Sequence, residues 1–325
     1  MIVSWFTPVN HRDYNAMPAS VWIRCLQLIP YLEEKGGHCV VNDPEVRADV
    51  CVFVRWQNEE AQTLARKLKR RGSRIVFDLC VNYLDETGLL GRNMGTTRER
   101  VMEAQRMIAV SDAITCASVF IAERAREHHP NVSYFPDSID HRHFRLAKSL
   151  SDFSKPKINA IWSGVAVKAT ELKETYPLLA ERGITLTVIS DSPLSLPGPY
   201  EFVPWSYQTF PRDILRGEIC LGPRRTDNPY DKGHSHFKIG IFMAQGVPAL
   251  ASPLLAYIEV VGKTGGGRIC DSESAWGAAL DKILADRQIL REWSQAACQG
   301  MLAYSTESAA QKYVRLFESL CTTIP

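Results

Sequence analysis

The feature that most constrains this chain is an alternation. Short apolar runs of strand character recur along its whole length, separated by segments of helical pattern. IVSWF (2–6) precedes an amphipathic stretch from Val21 to Glu34, and CVVND (39–43) and VCVFVR (50–55) precede a strongly basic helix from Glu59 to Arg71. RIVFDLC (74–80) is followed by a helical Arg98 to Val110, ITCAS (114–118) by Val119 to Glu127, and VSYFP (132–136) ends the series. RLAKSLSDFSKPK (145–157) is polar and aperiodic and reads as a linker. The alternation then restarts with INAIWSG (158–164), a helix from Glu171 to Arg182, and strands TLTVIS (185–190), YEFVPW (200–205), EICLGP (218–223) and PALAS (248–252). Helices follow at Glu273 to Asp286, Ile289 to Tyr304 and Glu307 to Leu320. Repeated β-α-β order demands parallel sheets covered by helices on both faces. The expected fold is therefore α/β: two tandem Rossmann-like, doubly wound domains with a cleft between them, residues 1–145 and 158–305, joined by a linker at 146–157. Ligands of such sheets bind at the carboxyl ends of the strands.

Composition narrows the partners. The 325 residues carry a formal net charge of +2, so no nucleic acid or other bulk polyanion is expected. No apolar run reaches bilayer length, and MIVSWFTPVNHRDYN at the N-terminus lacks the basic and apolar regions of a signal peptide. The nine cysteines are scattered, form no CxxC pair and fall mostly in strand-like runs. They read as small buried hydrophobes in a reducing compartment, with no structural zinc, and the expected location is the cytoplasm.

One stretch conflicts with helix electrostatics. In KGHSHFKIGIFMAQGVPALAS (232–252) an apolar helix, stopped by Gly246 and Pro248, opens on Lys232, His234, Ser235, His236 and Lys238. Ser235 suits an N-cap. The cations do not suit a helix start, which already carries about half a positive charge. Arg224 and Arg225 lie in the preceding loop, after strand EICLGP, so the whole group belongs to the carboxyl edge of the second sheet. A bound anion such as phosphate accounts for it. The competing explanation is that these side chains are solvated, since misplaced charge at a helix end costs only about 0.3–1 kcal/mol.

The second half, with WSG (162–164), FVPW (202–205), EICLGP, K-x-x-S-x-x-K (232–238), FMAQGVPALAS (242–252), YIEVV (257–261), GGGRICDSESAW (265–276) and LADRQ (284–288), resembles the donor domain of GT-B-fold glycosyltransferases of the broad glycogen-synthase-like group. The first half, through ADVCVFVR, RIVFDLC and SDAITCASVFIAERAREHHPNVSYFPDSIDHRHF, resembles the acceptor domain of the same group. The resemblance implies transfer of a sugar from a nucleotide-diphosphate sugar, bound by the second domain, to a glycan, lipid-linked or small-molecule acceptor held by the first. It also implies that the C-terminal helix (306–325) packs back on the first domain. Gly164 and Lys168 take the place of the family's loop toward the diphosphate, Trp205 that of the nucleobase neighbour, and Glu259 that of the Glu facing the ribose. Lys168, Lys232 and Lys238, with a helix start at Ser235, would neutralise the leaving diphosphate; no DxD motif calls for a metal, and none is expected. One departure stands out: where the family has two Glu residues, this chain has Gly233 and Ile241.

In the first half, the loop TPVNHRDYN (7–15) follows the first strand and offers His11, Asp13 and Asn15 to an acceptor; Arg24 lies on the next helix, and Asp78 ends strand RIVFD. Asp78, His11 and Asp13 are the candidate catalytic bases, and an Asp that merely caps a buried loop is the competing reading for Asp78. Core packing is the competing reading for Trp205 and a surface position that for Lys168. GKTGGG (262–267) lacks the first glycine of a phosphate loop. ARKLKRR (65–71) reads as a solvated helix face or as a peripheral contact with anionic lipid on the inner face of a membrane. Two alternatives to glycosyl transfer remain at this level: a nucleotide-sugar epimerase on the same fold, and a catalytically silent scaffold subunit, for which the missing Glu pair argues.

Overall fold

The structure, a computed structural model, describes residues 1–91 and 94–322. In chain order its first elements are β1 (Ile2–Phe6), α1 (Ala19–Val21), a π-helical turn (Trp22–Leu26), α2 (Ile29–Glu33), β2 (His38–Val41) and β3 (Val50–Val54). α3 (Glu59–Arg70), β4 (Arg74–Leu79), β5 (Gly88–Gly91), β6 (Met94–Thr96), α4 (Arg98–Val110), β7 (Ala113–Cys116), α5 (Val119–Arg126) and β8 (Val132–Tyr134) follow. Then come β9 (Asn159–Ser163), a 3-10 turn (Ala166–Leu172), α6 (Tyr176–Glu181), β10 (Thr185–Ser190), β11 (Glu201–Pro204), α7 (Phe210–Asp213) and β12 (Ile219–Gly222). The chain finishes with α8 (Pro229–Lys232), α9 (Phe237–Ala244), β13 (Ala249–Ala251), α10 (Leu255–Thr264), β14 (Gly267–Ile269), α11 (Glu273–Ala285), α12 (Gln288–Met301) and α13 (Thr306–Thr322).

These elements form two compact units. The first holds residues 1–140, 228–235 and the segment from Tyr304 onward; the second holds 141–227 and 236–303. Each has a six-stranded parallel sheet: β2-β1-β3-β4-β7-β8 in the first and β11-β10-β9-β12-β13-β14 in the second. The central strands are buried on both faces, as covered parallel sheets require. Every residue of Val50–Val54 is buried, which is why VCVFV is a continuous apolar run rather than an alternating one. In the first core Cys51, Phe53, Ile75 and Phe77 meet Ala61, Ala65 and Leu68 of α3. In the second, Trp162, Leu186, Val188 and Leu221 meet Leu179, Trp276, Leu280 and Ile283.

α13 belongs to the first unit, where Tyr313 packs edge-on against Trp5 at 5.7 Å and against Phe135 at 4.8 Å. Three expected helices are cut differently from the sequence pattern: Val21 to Glu34 divides into the end of α1, the π-helical turn and α2. Glu171 to Arg182 splits into the 3-10 turn and α6, with a proline at the start of the latter. The segment expected as one helix from Lys232 also divides. Asn228 caps α8 by accepting from the Asp231 amide, and α9 begins only at Phe237. Gly233 lies in between, and a Cβ there would meet the Asn82 side chain at 2.6 Å. α9 ends as its sequence predicts: Gly246 adopts φ +77, and Val247 donates back to the Phe242 carbonyl.

Candidate functional site

In the second unit, Glu171, Arg224 and Lys238 form one cluster. Glu171 comes from the 3-10 turn after β9, Arg224 from the loop after β12, and Lys238 from the first turn of α9. The Glu171 carboxylate accepts from Arg224 Nη1 at 2.5 Å through one oxygen and from Lys238 Nζ at 2.9 Å through the other. The Lys238 ammonium also lies 4.4 Å from the centroid of the Trp162 ring, a cation–π contact. The side chains of Glu171 and Arg224 are nearly buried. Burial raises the Glu171 carboxyl, but Lys238 and Arg224 outweigh it, and its pKa lies below the ordinary value. Burial also dominates at Lys238 and lowers its ammonium, although Glu171 pulls it back up. The anion that the cationic helix start called for is thus, in this structure, a carboxylate of the chain itself. Glu171 was not singled out in the sequence, because it stands 67 residues from Lys238 inside a segment of ordinary helical pattern.

The other donor-side residues are distributed as follows. Gly164 follows β9 directly over Trp162, and a Cβ there would meet the indole at 2.7 Å. Lys168 lies in the same 3-10 turn as Glu171 and is among the cations that lower that carboxyl. Trp205 follows β11, half-buried and tilted against Phe210 at 6.2 Å. Glu259 lies on α10 and accepts from Lys263 at 2.7 Å. Lys232 and Ser235 fall in the first unit, whereas Lys238 falls in the second. Ser235 does not cap α9: His236 takes that position without a side-chain cap bond. The physical reason is that Ser235 Oγ donates instead to the Asp137 carboxylate.

In the first unit, Asp78 is fully buried, and both its oxygens are committed. Arg24 donates to them at 3.0 and 2.7 Å, and Thr115 Oγ1 and Tyr313 OH at 2.6 and 2.9 Å. The same guanidinium donates to Asp137 and to the Phe135 carbonyl. Burial lowers the Arg24 guanidinium, but Asp78, Tyr313 and Asp137 hold it well above its ordinary value. This is a closed internal network, so the base role expected of Asp78 from its place at a strand end is not one its geometry suits. His11 and Asp13 are exposed, and each is used locally: His11 Nδ1 accepts from the Asp13 amide and Asp13 from the Asn15 amide.

A cavity of about 1010 Å³ opens beside that loop, lined by Thr7, Asn10, Asn42, Trp56, Asn58 and Glu59 among others, but not by His11 or Asp13. Asn42 holds its rim. It sits in the left-handed region at φ 53, accepts from the Thr7 amide and donates to the Val9 carbonyl and Asn10 Oδ1. Of the ARKLKRR face, Lys69 pairs with Asp112 at 2.9 Å, and Arg71 donates to the Pro44 carbonyl. No helix among the described residues is long and apolar enough to cross a membrane.

No family model and no curated protein matches the sequence. Solved structures do match the fold. A sucrose-phosphate synthase from Thermosynechococcus elongatus aligns over 99% of this chain and 100% of its own, with a TM-score of 0.75 at 11% identity. HepE from Anabaena, in complex with UDP, aligns over 98% and 100% with a TM-score of 0.71 at 11% identity. A glycosyltransferase from Rickettsia africae aligns over 99% of both chains with a TM-score of 0.69 at 9% identity. At such identities the likeness is one of architecture, and the architecture, two Rossmann-like α/β units in tandem along the whole chain, is the GT-B fold of glycosyltransferases.

Proposed function

We propose that this chain is a glycosyltransferase that moves a sugar from a nucleotide-diphosphate sugar to an acceptor. The observation that carries the reading is the cationic excess of the second unit's cluster: Glu171 is faced by both Arg224 and Lys238, with Lys168 close enough to lower its carboxyl. The reading is supported by the matched HepE structures, which are complexes with UDP and with UDP-glucose. As the bond between sugar and diphosphate breaks, negative charge develops on the leaving oxygen, and fixed cations at a strand-to-helix edge lower that barrier. Arg224, Lys238 and Lys168 would do this without a metal. Glu171 competes for the same cations, so donor binding exchanges an internal carboxylate for a diphosphate. Trp205 and Glu259 would face base and ribose. The acceptor would use the first unit's cavity, where Trp56 offers an apolar face and Asn10, Asn42, Asn58 and Glu59 offer the amides and carboxylate that suit sugar hydroxyls. His11 and Asp13 would be the candidates for a base. The basic face of α3 would be the place of any peripheral contact with anionic lipid.

The test is thermal unfolding of the wild type and Lys238→Ala with UDP, ADP, GDP and pyrophosphate. A ligand of the native state raises the midpoint, so at least one diphosphate should do so in the wild type and lose most of the effect in the variant. No shift with any of them would end the reading. A second reading, a silent subunit of the same fold, is favoured by Gly233: where the family carries a Glu, even a Cβ would strike Asn82 at 2.6 Å. Diphosphate binding without turnover of any nucleotide sugar would select it.

A further inference from the structure

Two arginines with nearly buried side chains each meet a carboxylate: Arg24 meets Asp78 at 2.7 Å, and Arg224 meets Glu171. Arg55 is half-buried and has no carboxylate within 4 Å among the described residues. Its hydrogen-bond partner is the Ser20 hydroxyl, at 3.3 Å. The ionisable groups that bear on it are the Cys80 thiol and the Tyr83 phenol, both raised by burial, and the phenol of Tyr230, and a second cation, Arg100, bears on Tyr83 from elsewhere. A desolvated charge without a counter-charge is costly, and a guanidinium is the cation whose fork matches a carboxylate or phosphate.

Its place is also unusual. Arg55 is the residue immediately after β3, at the carboxyl end of a central strand, where open parallel sheets bind ligands. Its backbone is left-handed, with φ 57, a conformation that long side chains rarely adopt. Such strain tends to persist where the side chain is held for a purpose. The bond to Ser20, at the start of the helical segment after β1, places the guanidinium along the carboxyl edge of the sheet.

We propose that Arg55 is an anion receptor of the first unit: it reads an oxyanion, a phosphate monoester or a carboxylate, carried by the molecule bound there. This rests on the reading of the first unit as the acceptor side; Arg55 is not among the residues that line its cavity, and the acceptor becomes an acidic or phosphorylated sugar rather than a neutral one. The Ser20 hydroxyl, which accepts from the guanidinium, keeps its own proton to donate to the same oxyanion, and Arg100 adds long-range attraction.

The experiment titrates glucose, glucuronate, glucose 6-phosphate and inorganic phosphate into the wild type, Arg55→Ala and Arg55→Lys at low salt, with UDP as a parallel ligand. The wild type should bind glucuronate or glucose 6-phosphate at least tenfold more tightly than glucose. Arg55→Ala should lose that preference, and Arg55→Lys should recover part of it. The ratio between glucuronate and glucose 6-phosphate separates a carboxylate from a phosphate reader, and inorganic phosphate as tight as the sugar phosphate would mark an oxyanion site that ignores the sugar. UDP binding should be unchanged in both variants; its absence in the wild type would count against the donor site, not against Arg55. Because the cation lacks a counter-charge, the unliganded Arg55→Ala protein should melt no lower than the wild type. A wild type that binds the acidic sugars no better than glucose, an Arg55→Ala variant that keeps the preference, or a lower melting temperature with unaltered binding would each overturn the proposal.

Discussion

Two arginine–carboxylate clusters, one in each unit, are built from the same chemistry and have opposite balances. In the first unit one cation, Arg24, faces two carboxylates, and Thr115, Tyr313 and Ser235 supply further donors. In the second unit one carboxylate, Glu171, faces two cations. Burial pushes the Asp137 carboxyl up, despite Arg24 beside it, whereas Glu171 is held down. In the first cluster the charge of the second carboxylate is met by neutral hydroxyl donors inside the protein, and the network ties together β4, the turn after β1, the segment after β8 and α13. The second contains more positive charge than its own carboxylate neutralises, at an edge where loops enter helices. The difference teaches that a buried ion pair is informative through its surplus. A satisfied network fixes the fold, and a network with charge left over marks a place for a ligand.

The comparison breaks most readily at Asp78. Removing one partner of a fully buried pair leaves the other uncompensated, so Asp78→Ala should cost about 3–5 kcal/mol in denaturant unfolding. A loss below about 1 kcal/mol would show that the network does not hold the first unit together. Next in size is Glu171→Gln. It leaves Arg224 and Lys238 beside a neutral amide, and the free protein should lose about 1–3 kcal/mol, the scale of hydrogen bonds to charged groups. Pyrophosphate binding should tighten at the same time, because the internal competitor is gone. Should binding weaken instead, Glu171 positions the cations rather than competing for them.

A third effect sharpens the comparison through pH. His236, the N-cap of α9, is buried, and burial lowers its pKa from 6.5 to about 4. The unfolded chain therefore binds a proton between pH 6.5 and 4 that the folded chain refuses. Stability must fall as pH drops through that window and is restored above it. The single-group slope is about 1.4 kcal/mol per pH unit. His236→Gln should remove that slope between pH 6.5 and 5, with the wild type measured alongside, since Glu171, Asp85 and Asp152 have lowered pKa values and add their own acid sensitivity below this range. The smallest effect belongs to Lys263, which pairs with Glu259 one helical turn away and is 66% exposed. Lys263→Ala should cost about 0.3–0.5 kcal/mol, and the difference should vanish in 1 M salt. A larger or salt-resistant loss would place that pair among the buried clusters.

The strands and most helices were legible from local pattern, because burial imposes a short period on the sequence. VCVFV reads as a doubly covered strand, and Gly246 reads as a helix stop, from a handful of neighbouring residues. Local pattern also exposed the cationic start of α9 as an anomaly demanding an anion. It misjudged Ser235 because a serine before an apolar run is equally suited to a cap and to a distant carboxylate. What the tertiary structure alone decided is which charges meet. Arg24 and Asp78 are 54 residues apart, Lys238 and Glu171 67, and Ser235 and Asp137 98. Period and propensity act over a turn or a few residues of strand. Coulomb attraction and desolvation act on whatever the sheet topology brings within a few ångströms. That is why Asp78 passed for a base, Glu171 went unnoticed, and Arg55 was simply the last letter of an apolar run until its missing counter-charge could be seen.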